Sequence, residues 1–225
     1  MNRKHARIGY WSAVTYAALL IALNVSFAIM AIRVPASAWQ GMEVYANSYQ
    51  IIAFVPQSIG LLALPALLLM FVTLHFYTAD GRKIWSLAGL LFATTHVTLL
   101  GALYFIQVAV LLPALTAGTW QGLDQFAFAN PRSVAWGLNH YAWAMLGVAL
   151  VFTAWAFGHS PLERWLRGLF LLNGVANILL ILAFAFGFEM LTIAIALVSW
   201  VMALPVAALL VALLFRRLYL QEGAG

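Results

Sequence analysis

The sequence predicts an all-α, polytopic membrane protein: six transmembrane helices arranged as three hairpins in one domain, with two amphipathic interfacial helices on the outer face. Its 225 residues are 65% hydrophobic and only 8% charged, whereas an ordinary soluble domain is about 25% charged. A soluble domain of this size could not bury so much apolar surface. The apolar residues also fall into six long runs, and the absence of cysteine excludes a disulfide-stapled secreted fold.

A membrane span needs about 20 predominantly apolar residues. Six segments meet this requirement: 10–32, 51–77, 85–113, 134–158, 164–186 and 190–215. The residues between them favour turns and helix starts: Asp80-Gly81 predicts a turn, Asn130-Pro131 a helix N-cap, and Ser160-Pro161-Leu162-Glu163 a capping box. Gly187 marks the break between the last two spans.

The basic residues set the orientation. With the N-terminus inside, the inner segments hold nine of the eleven basic residues and the outer segments hold only Arg33 and Arg132. This bias follows the positive-inside rule, so we expect both termini in the cytoplasm and a location in the inner (plasma) membrane. The basic residues are scattered over four short segments, which argues against nucleic-acid binding. A cleaved signal peptide ending near Ala36-Ser37-Ala38 is an alternative, but its apolar stretch of about 22 residues is longer than the 7–15 typical of such peptides.

The two long outer connections resemble each other. Residues 39–46 read WQGMEVYA and residues 120–127 read WQGLDQFA, so that seven of eight positions match in identity or type at a constant offset of 81. Each connection follows an odd-numbered span, which predicts an internal repeat of 10–77 and 85–158 with the third hairpin diverged. Apolar and aromatic residues recur in the first connection at near-helical spacing, and this pattern predicts the amphipathic interfacial helices. Such helices would anchor the bundle or form a lid over a pocket.

Four segments together carry a resemblance: WQGMEVYA at 39–46, YFIQ at 104–107, Asn130-Pro131, and LERW at 162–165. They resemble a family of uncharacterised prokaryotic membrane proteins with six helices, over most of the chain. The family has no assigned activity, so the resemblance implies the fold and a prokaryotic source and no chemistry.

Polar side chains inside the spans are the candidate functional groups, because burying them in a membrane is costly. No Asp, Glu, Lys or Arg lies deep in any span. This argues against a carboxylate proton relay, a voltage sensor and a retinal protein. At ~1.5 Å per residue, Asn24, Gln57 and Gln107 lie about 9–12 Å below the outer edge. The predicted site is an outward-opening cavity lined by Gln57, Gln107, His140, Asn24, Asn177, Asn139, Tyr104, Trp136 and Trp143.

Three functional classes remain open. A polar, uncharged and aromatic pocket favours a non-enzymatic protein that binds or transports a small neutral or amphipathic molecule. The same amides would serve equally as hydrogen bonds between helices, which favours a structural or accessory subunit without a ligand. The third class is an intramembrane enzyme or metal protein that uses His140 with Glu43, Asp124 and Glu189, although their spacing matches no metal motif. We expect no cofactor, and we expect the lipid bilayer and a small-molecule or lipid-like ligand as partners.

Overall fold

The computed structural model describes residues 2–34 and 39–221, with the side chain of Glu189 excepted. The predicted cleavage region, Ala36-Ser37-Ala38, lies outside the described residues. The described chain is helical without strands, and six of its helices are long and apolar enough to cross a membrane. These six spans cover Arg3–Arg33, Ile51–Tyr77, Asp80–Ala117, Val134–Ala154, Pro161–Ala185 and Met190–Gln221. The protein is therefore an all-α, multi-pass membrane protein.

Three of the spans are not uniform α-helices. Span 2 begins with a 3₁₀ turn, Ile51–Phe54, and continues as the helix Val55–Tyr77. Span 3 joins the 3₁₀ turn Asp80–Arg82, the α-helix Lys83–Phe105, a π-helical segment Ile106–Leu111 and the α-helix Leu112–Ala117. Span 6 joins the α-helix Glu189–Ala196, a π-helical segment Leu197–Ala203 and the α-helix Leu204–Gln221.

The six spans form a ring in chain order. Each span packs against the next, and Leu204–Gln221 of span 6 returns to pack against span 1. We call the end of the bundle where span 1 begins and span 6 ends the basic end, and the opposite end the loop end. A single hydrophobic core runs through the ring, and its largest fully buried side chains include Phe71, Phe157, Phe170 and Phe215.

Glycines allow some of the neighbouring spans to approach closely. A Cβ atom on Gly174 of span 5 would lie 2.7 Å from the carbonyl oxygen of Gly147 in span 4, and a Cβ atom on Gly147 would lie 2.7 Å from that of Gly174. A Cβ atom on Gly89 of span 3 would lie 2.9 Å from the carbonyl oxygen of Ala149 in span 4. Small residues at such crossings let helix backbones touch, which is how helices in membranes gain packing energy.

The first outer connection contains the expected short helix, and the second does not. Residues Met42–Ser48 form a helix whose buried Met42 packs into a small cluster at the loop end, while Glu43 is exposed. The second connection is a succession of turns around the 3₁₀ helix Asp124–Phe126, in place of the predicted amphipathic α-helix. Left-handed backbone at Gly118 (φ 71°) and Gly122 (φ 80°) interrupts the helical path there.

Both connections nevertheless pack on the same loop-end cluster. Trp39 from the first connection and Trp120 from the second lie against its buried members, Met42, Phe54 and Leu115 among them. Tyr45 also lies against this cluster, and burial raises the pKa of Tyr45 to about 12. The internal repeat stays a prediction, because the two connections differ in local structure.

One of two predicted helix caps is observed, and the other is replaced by a neighbouring residue. Ser160 and Glu163 form the predicted capping box, with both reciprocal hydrogen bonds in place. Span 4 is capped by Ser133, whose side chain accepts a hydrogen bond from the Trp136 N–H, and not by Asn130. The Asn130 side chain instead accepts from the Arg132 N–H at 3.1 Å and stabilises the turn before the helix.

Glu163 also ties the basic end together. Its carboxylate accepts hydrogen bonds from Tyr77 Oη of span 2 at 2.7 Å, from the Gly158 N–H at 2.7 Å and from Ser160 Oγ at 2.7 Å. Arg82 and Arg167 both donate to the carbonyl oxygen of Phe157, close to the end of span 4. Spans 2, 3, 4 and 5 are therefore joined at this end by hydrogen bonds to charged groups.

We expect Glu163→Ala to lower the free energy of unfolding by about 2 kcal/mol, because it removes a helix cap and leaves Tyr77 without an acceptor. Arg164→Ala is the matched control one residue away, because Arg164 is exposed and surface substitutions usually change stability by less than about 0.5 kcal/mol. Denaturant unfolding in detergent micelles measures both. Equal effects of the two substitutions would contradict the role of Glu163.

Candidate functional site: the polar and aromatic centre of the bundle

The largest polar network surrounds the π-helical segment of span 6. Asn177 Nδ2 donates to Ser199 Oγ at 2.7 Å, and Trp200 Nε1 donates to Asn177 Oδ1 at 2.7 Å. In the orientation that satisfies its neighbours, the Asn173 amide donates to the carbonyl oxygen of Ser199 at 3.1 Å and accepts from the N–H of Leu204 at 3.1 Å. Asn173 and Asn177 are fully buried. The Leu204 N–H also bonds to the carbonyl oxygen of Ser199 within span 6, so Asn173 adds hydrogen bonds from span 5 to two backbone groups that are already paired.

Prolines account for both π segments. Ile106–Leu111 ends two residues before Pro113, and Leu197–Ala203 ends two residues before Pro205. A proline lacks the N–H of the helical hydrogen bond, and its ring collides with the carbonyl group four residues earlier. A wider turn relieves that collision, and such π turns are frequent at functional sites. In a membrane, the freed backbone groups need partners from neighbouring helices. Asn24 of span 1 is such a partner, because it donates to the carbonyl oxygen of Trp200, five residues before Pro205.

Aromatic contacts extend this network across the bundle. Asn24 of span 1 donates to the carbonyl oxygen of Trp200 at 3.1 Å. The Trp200 ring stacks on Trp143 of span 4 at 4.4 Å between centroids, and Trp143 meets His96 of span 3 edge-to-face at 5.1 Å. His96 Nδ1 in turn bonds to the carbonyl oxygen of Ala142 at 2.8 Å. Spans 1, 3, 4, 5 and 6 therefore contribute to one continuous set of contacts.

Gln107 belongs to a different group, at the loop end. It lies in the π segment of span 3, donates to the carbonyl oxygen of Phe126 and accepts from the N–H of Phe128. Trp136 Nε1 also donates to Phe128, at 2.8 Å, and the Tyr104 ring meets Phe128 edge-to-face at 6.2 Å. Gln107 and Trp136 therefore hold the second connection over the bundle.

Gln57 lies apart from both groups, whereas His140 contacts Trp136 of the loop-end group. Gln57 is buried, and its amide, oriented to satisfy its surroundings, donates to the carbonyl oxygen of Ala53 in its own span at 2.8 Å. His140 Nδ1 bonds to the carbonyl oxygen of Trp136, and the His140 ring stacks on Phe184 at 4.0 Å. Among the described residues, no hydrogen bond or ring contact joins Gln57, Gln107 and His140. The cavity shared by these three stays a prediction.

An opening separates spans 1 and 6 at the loop end. Among the described residues, none after Ser26 in span 1 is buried, and none before Ser199 in span 6 is buried. Ile32 is 79% exposed and Met190 is 80% exposed. The two spans pack extensively only towards the basic end. The hydrogen bond from Asn24 to Trp200 therefore lies where the two spans begin to diverge, and we call the gap beyond it the lateral opening.

The span 5–6 turn beside this opening is apolar. A shallow depression of about 580 Å³ is lined there by Gly187, Phe188, Met190 and Leu191. Within the described part of the chain, no group of three or more His, Asp or Glu side chains is placed to hold a metal ion. The side chain of Glu189, one of the candidate ligands in the metal interpretation, lies outside the described residues.

The sequence analysis did not predict Ser199 and Trp200 as members of the polar centre. A signal was present, since Pro205 lies in an apolar run a few residues later. A proline within a span implies freed backbone groups and hence a polar partner nearby.

Comparison with known proteins finds no relative of this chain. No protein-family model, no curated protein sequence and no solved structure matches the chain.

Proposed function

We propose that this is a non-enzymatic protein of the inner membrane that binds or transports a small neutral or amphipathic molecule. The observation that carries the proposal is the lateral opening between spans 1 and 6. A molecule dissolved in the bilayer reaches Asn24 and Trp200 through it without crossing water. Apolar sites with a few hydrogen-bonding groups are typical of such ligands.

The ligand is neutral because the spans offer no deep charge to balance a charged one. Exposed apolar side chains lie on both spans at the level of the opening, for example Phe27 on span 1 and Ile193 and Leu197 on span 6. Its floor offers the Asn24 amide and the Trp200 ring. This combination suits a molecule with a hydrocarbon body and a small polar group.

The orientation of the protein in the membrane is the last part of the proposal. The basic end carries nine basic residues and the loop end two, so the positive-inside rule places the basic end and both termini in the cytoplasm. The opening then faces the outer leaflet of the membrane. Introduced cysteines at Trp120 and Arg216 test this placement, because the native chain has no cysteine. Labelling of residue 120 from the cytoplasmic side would contradict it.

A structural or accessory subunit is the second candidate. Asn173, Asn177 and Gln107 all find hydrogen-bond partners within the described protein, which favours amides that hold helices together. If the protein is such a subunit, only bulk lipid occupies the opening.

A photoactivatable long-chain alcohol separates the two candidates. We expect it to label Phe27–Arg33 and Met190–Leu197 in a saturable manner, with excess unlabelled alcohol competing. Leu62 and Leu69 on span 2 are the matched control, because they are exposed apolar residues away from the opening, and their labelling should not saturate. Saturable labelling confined to the opening supports a binding protein. Unsaturable labelling at every exposed position would overturn it in favour of the accessory subunit.

A further inference from the structure

We propose that Arg82 and Arg167 form a binding site for a phosphate group at the basic end of the bundle. Arg82 belongs to span 3 and Arg167 to span 5, and both donate hydrogen bonds to the carbonyl oxygen of Phe157, after the end of span 4. With hydrogen bonds of about 3 Å, the two donor nitrogen atoms lie within about 6 Å of each other. Two guanidinium groups from different spans therefore meet at one point.

The protein compensates the two positive charges only in part. Among the described residues, the only ion pair joins Lys83 and Asp80, so neither guanidinium group is paired with a carboxylate there. Glu163 lies close, because it accepts from the Gly158 N–H while Arg167 donates to the carbonyl oxygen of Gly158. One carboxylate against two guanidinium groups leaves one positive charge, which a bound anion neutralises.

Both arginines keep donors for such an anion. Of the five N–H donors of a guanidinium group, Arg82 uses only Nη1, and Arg167 uses Nε and Nη2, within the described part of the chain. No fully enclosed side-chain nitrogen atom of the half-buried described residues lacks a partner. The remaining donors, on Nε and Nη2 of Arg82 and on Nη1 of Arg167, are therefore open to the surroundings. A tetrahedral phosphate group can accept from both groups at once, in the forked geometry that arginine favours.

Exposed tryptophans around the site favour a lipid as the source of the phosphate. The Arg167 guanidinium group lies 5.9 Å from the centre of the Trp155 ring. Trp155 and Trp85 are both exposed, and Trp85 lies three residues after Arg82. Tryptophans at the ends of spans favour the level of the lipid headgroups, and basic pockets between spans bind anionic headgroups. The site lies at the opposite end from the lateral opening and does not depend on the proposed function.

Native mass spectrometry of the full-length protein in micelles tests the site by titration with phosphatidylglycerol. We expect one molecule to bind, and the double variant Arg82→Gln/Arg167→Gln to bind it at least about tenfold more weakly. Arg216→Gln/Arg217→Gln is the matched control, because it removes the same charge from exposed arginines of span 6 at the same end. Equal weakening by the two double variants would mean that only the total charge attracts the lipid, and would overturn the site.

A second measurement uses the unchanged protein, because the two arginines also hold carbonyl groups at the end of span 4. With ¹⁵N-labelled arginine in phosphatidylglycerol vesicles, solid-state NMR should show dipolar coupling between the guanidinium nitrogens of Arg82 and Arg167 and the lipid ³¹P. Arg82→Lys and Arg167→Lys assign these resonances and keep the charge. A lack of coupling at both arginines would contradict a bound lipid phosphate.

Inorganic phosphate distinguishes the two sources of the group. If the site takes a lipid headgroup, inorganic phosphate should not displace phosphatidylglycerol. Phosphatidylcholine should then bind more weakly, because its headgroup carries a compensating positive charge. If the site takes a free phosphate compound, inorganic phosphate should bind to the protein in micelles, and Arg82→Gln/Arg167→Gln should abolish that binding. Binding of neither phosphatidylglycerol nor inorganic phosphate would overturn the site.

Discussion

Replacing Gly174 with alanine should destabilise the bundle by about 1–3 kcal/mol, the usual cost of inserting a methyl group into a packed core. The new Cβ atom would lie 2.6 Å from Val151 Cγ2 and 2.7 Å from the carbonyl oxygen of Gly147. A side chain can move away, but a carbonyl oxygen is part of the backbone of span 4. Spans 4 and 5 would have to separate, and that would reduce their contact along its length. Denaturant unfolding in micelles measures the change.

Gly168 provides the matched control on the same helix. A Cβ atom at Gly168 would meet no atom within 4 Å. Alanine should therefore be neutral or stabilising there, by up to about 1 kcal/mol from its helix propensity. The two substitutions are chemically identical and differ only in what the methyl group meets. Equal effects at 168 and 174 would mean that spans 4 and 5 do not cross at this glycine.

The spans were predictable because length and apolarity alone decide which segments cross a bilayer. Span 2 was predicted at 51–77 and observed at Ile51–Tyr77, while span 4 ends at Ala154 and not at 158. The end of span 4 shifts because Ser160 and Glu163 cap the next helix, and the residues before them must form the turn. Local turn chemistry was therefore visible in the sequence.

The partners of the candidate site residues could not be predicted from the sequence. Counting residues places Gln57 and Gln107 at similar depth, but Gln57 bonds within its own span and Gln107 bonds to the second connection. Gln107 lies within the π segment Ile106–Leu111, where the helical pitch differs from that of an α-helix, so a count at constant pitch does not give its direction. The contact between Gly147 and Gly174 likewise depends on which spans are neighbours, and that information is not in the composition of either span.

Asn173→Leu should have the second large effect, a loss of about 2–3 kcal/mol, because it removes a fully buried amide that makes several hydrogen bonds to Ser199 and Leu204 of span 6 at once. Leucine has a similar size, so the substitution removes hydrogen bonds with little change in packing. Asn24→Leu is the control, because Asn24 makes one hydrogen bond to Trp200 and is only partly buried. A single hydrogen bond between membrane helices is worth about 0.6 kcal/mol on average. Denaturant unfolding should therefore separate the two variants clearly.

A double-mutant cycle with Pro205→Ala tests the reason for the effect. Alanine at 205 restores the missing N–H and removes the ring, so Leu197–Ala203 can return to a regular α-helix. In the π segment the Leu204 N–H bonds to the carbonyl oxygen of Ser199, and Asn173 bonds to both groups. Regular α-helical pairing would separate these two groups, so Asn173 could no longer bind both. We expect Asn173→Leu to cost at least about 1 kcal/mol less in the Pro205→Ala background, within the range measured for residues that share a network. Additive effects would show that Asn173 acts only as a contact between spans 5 and 6, and that the π segment is held by something else.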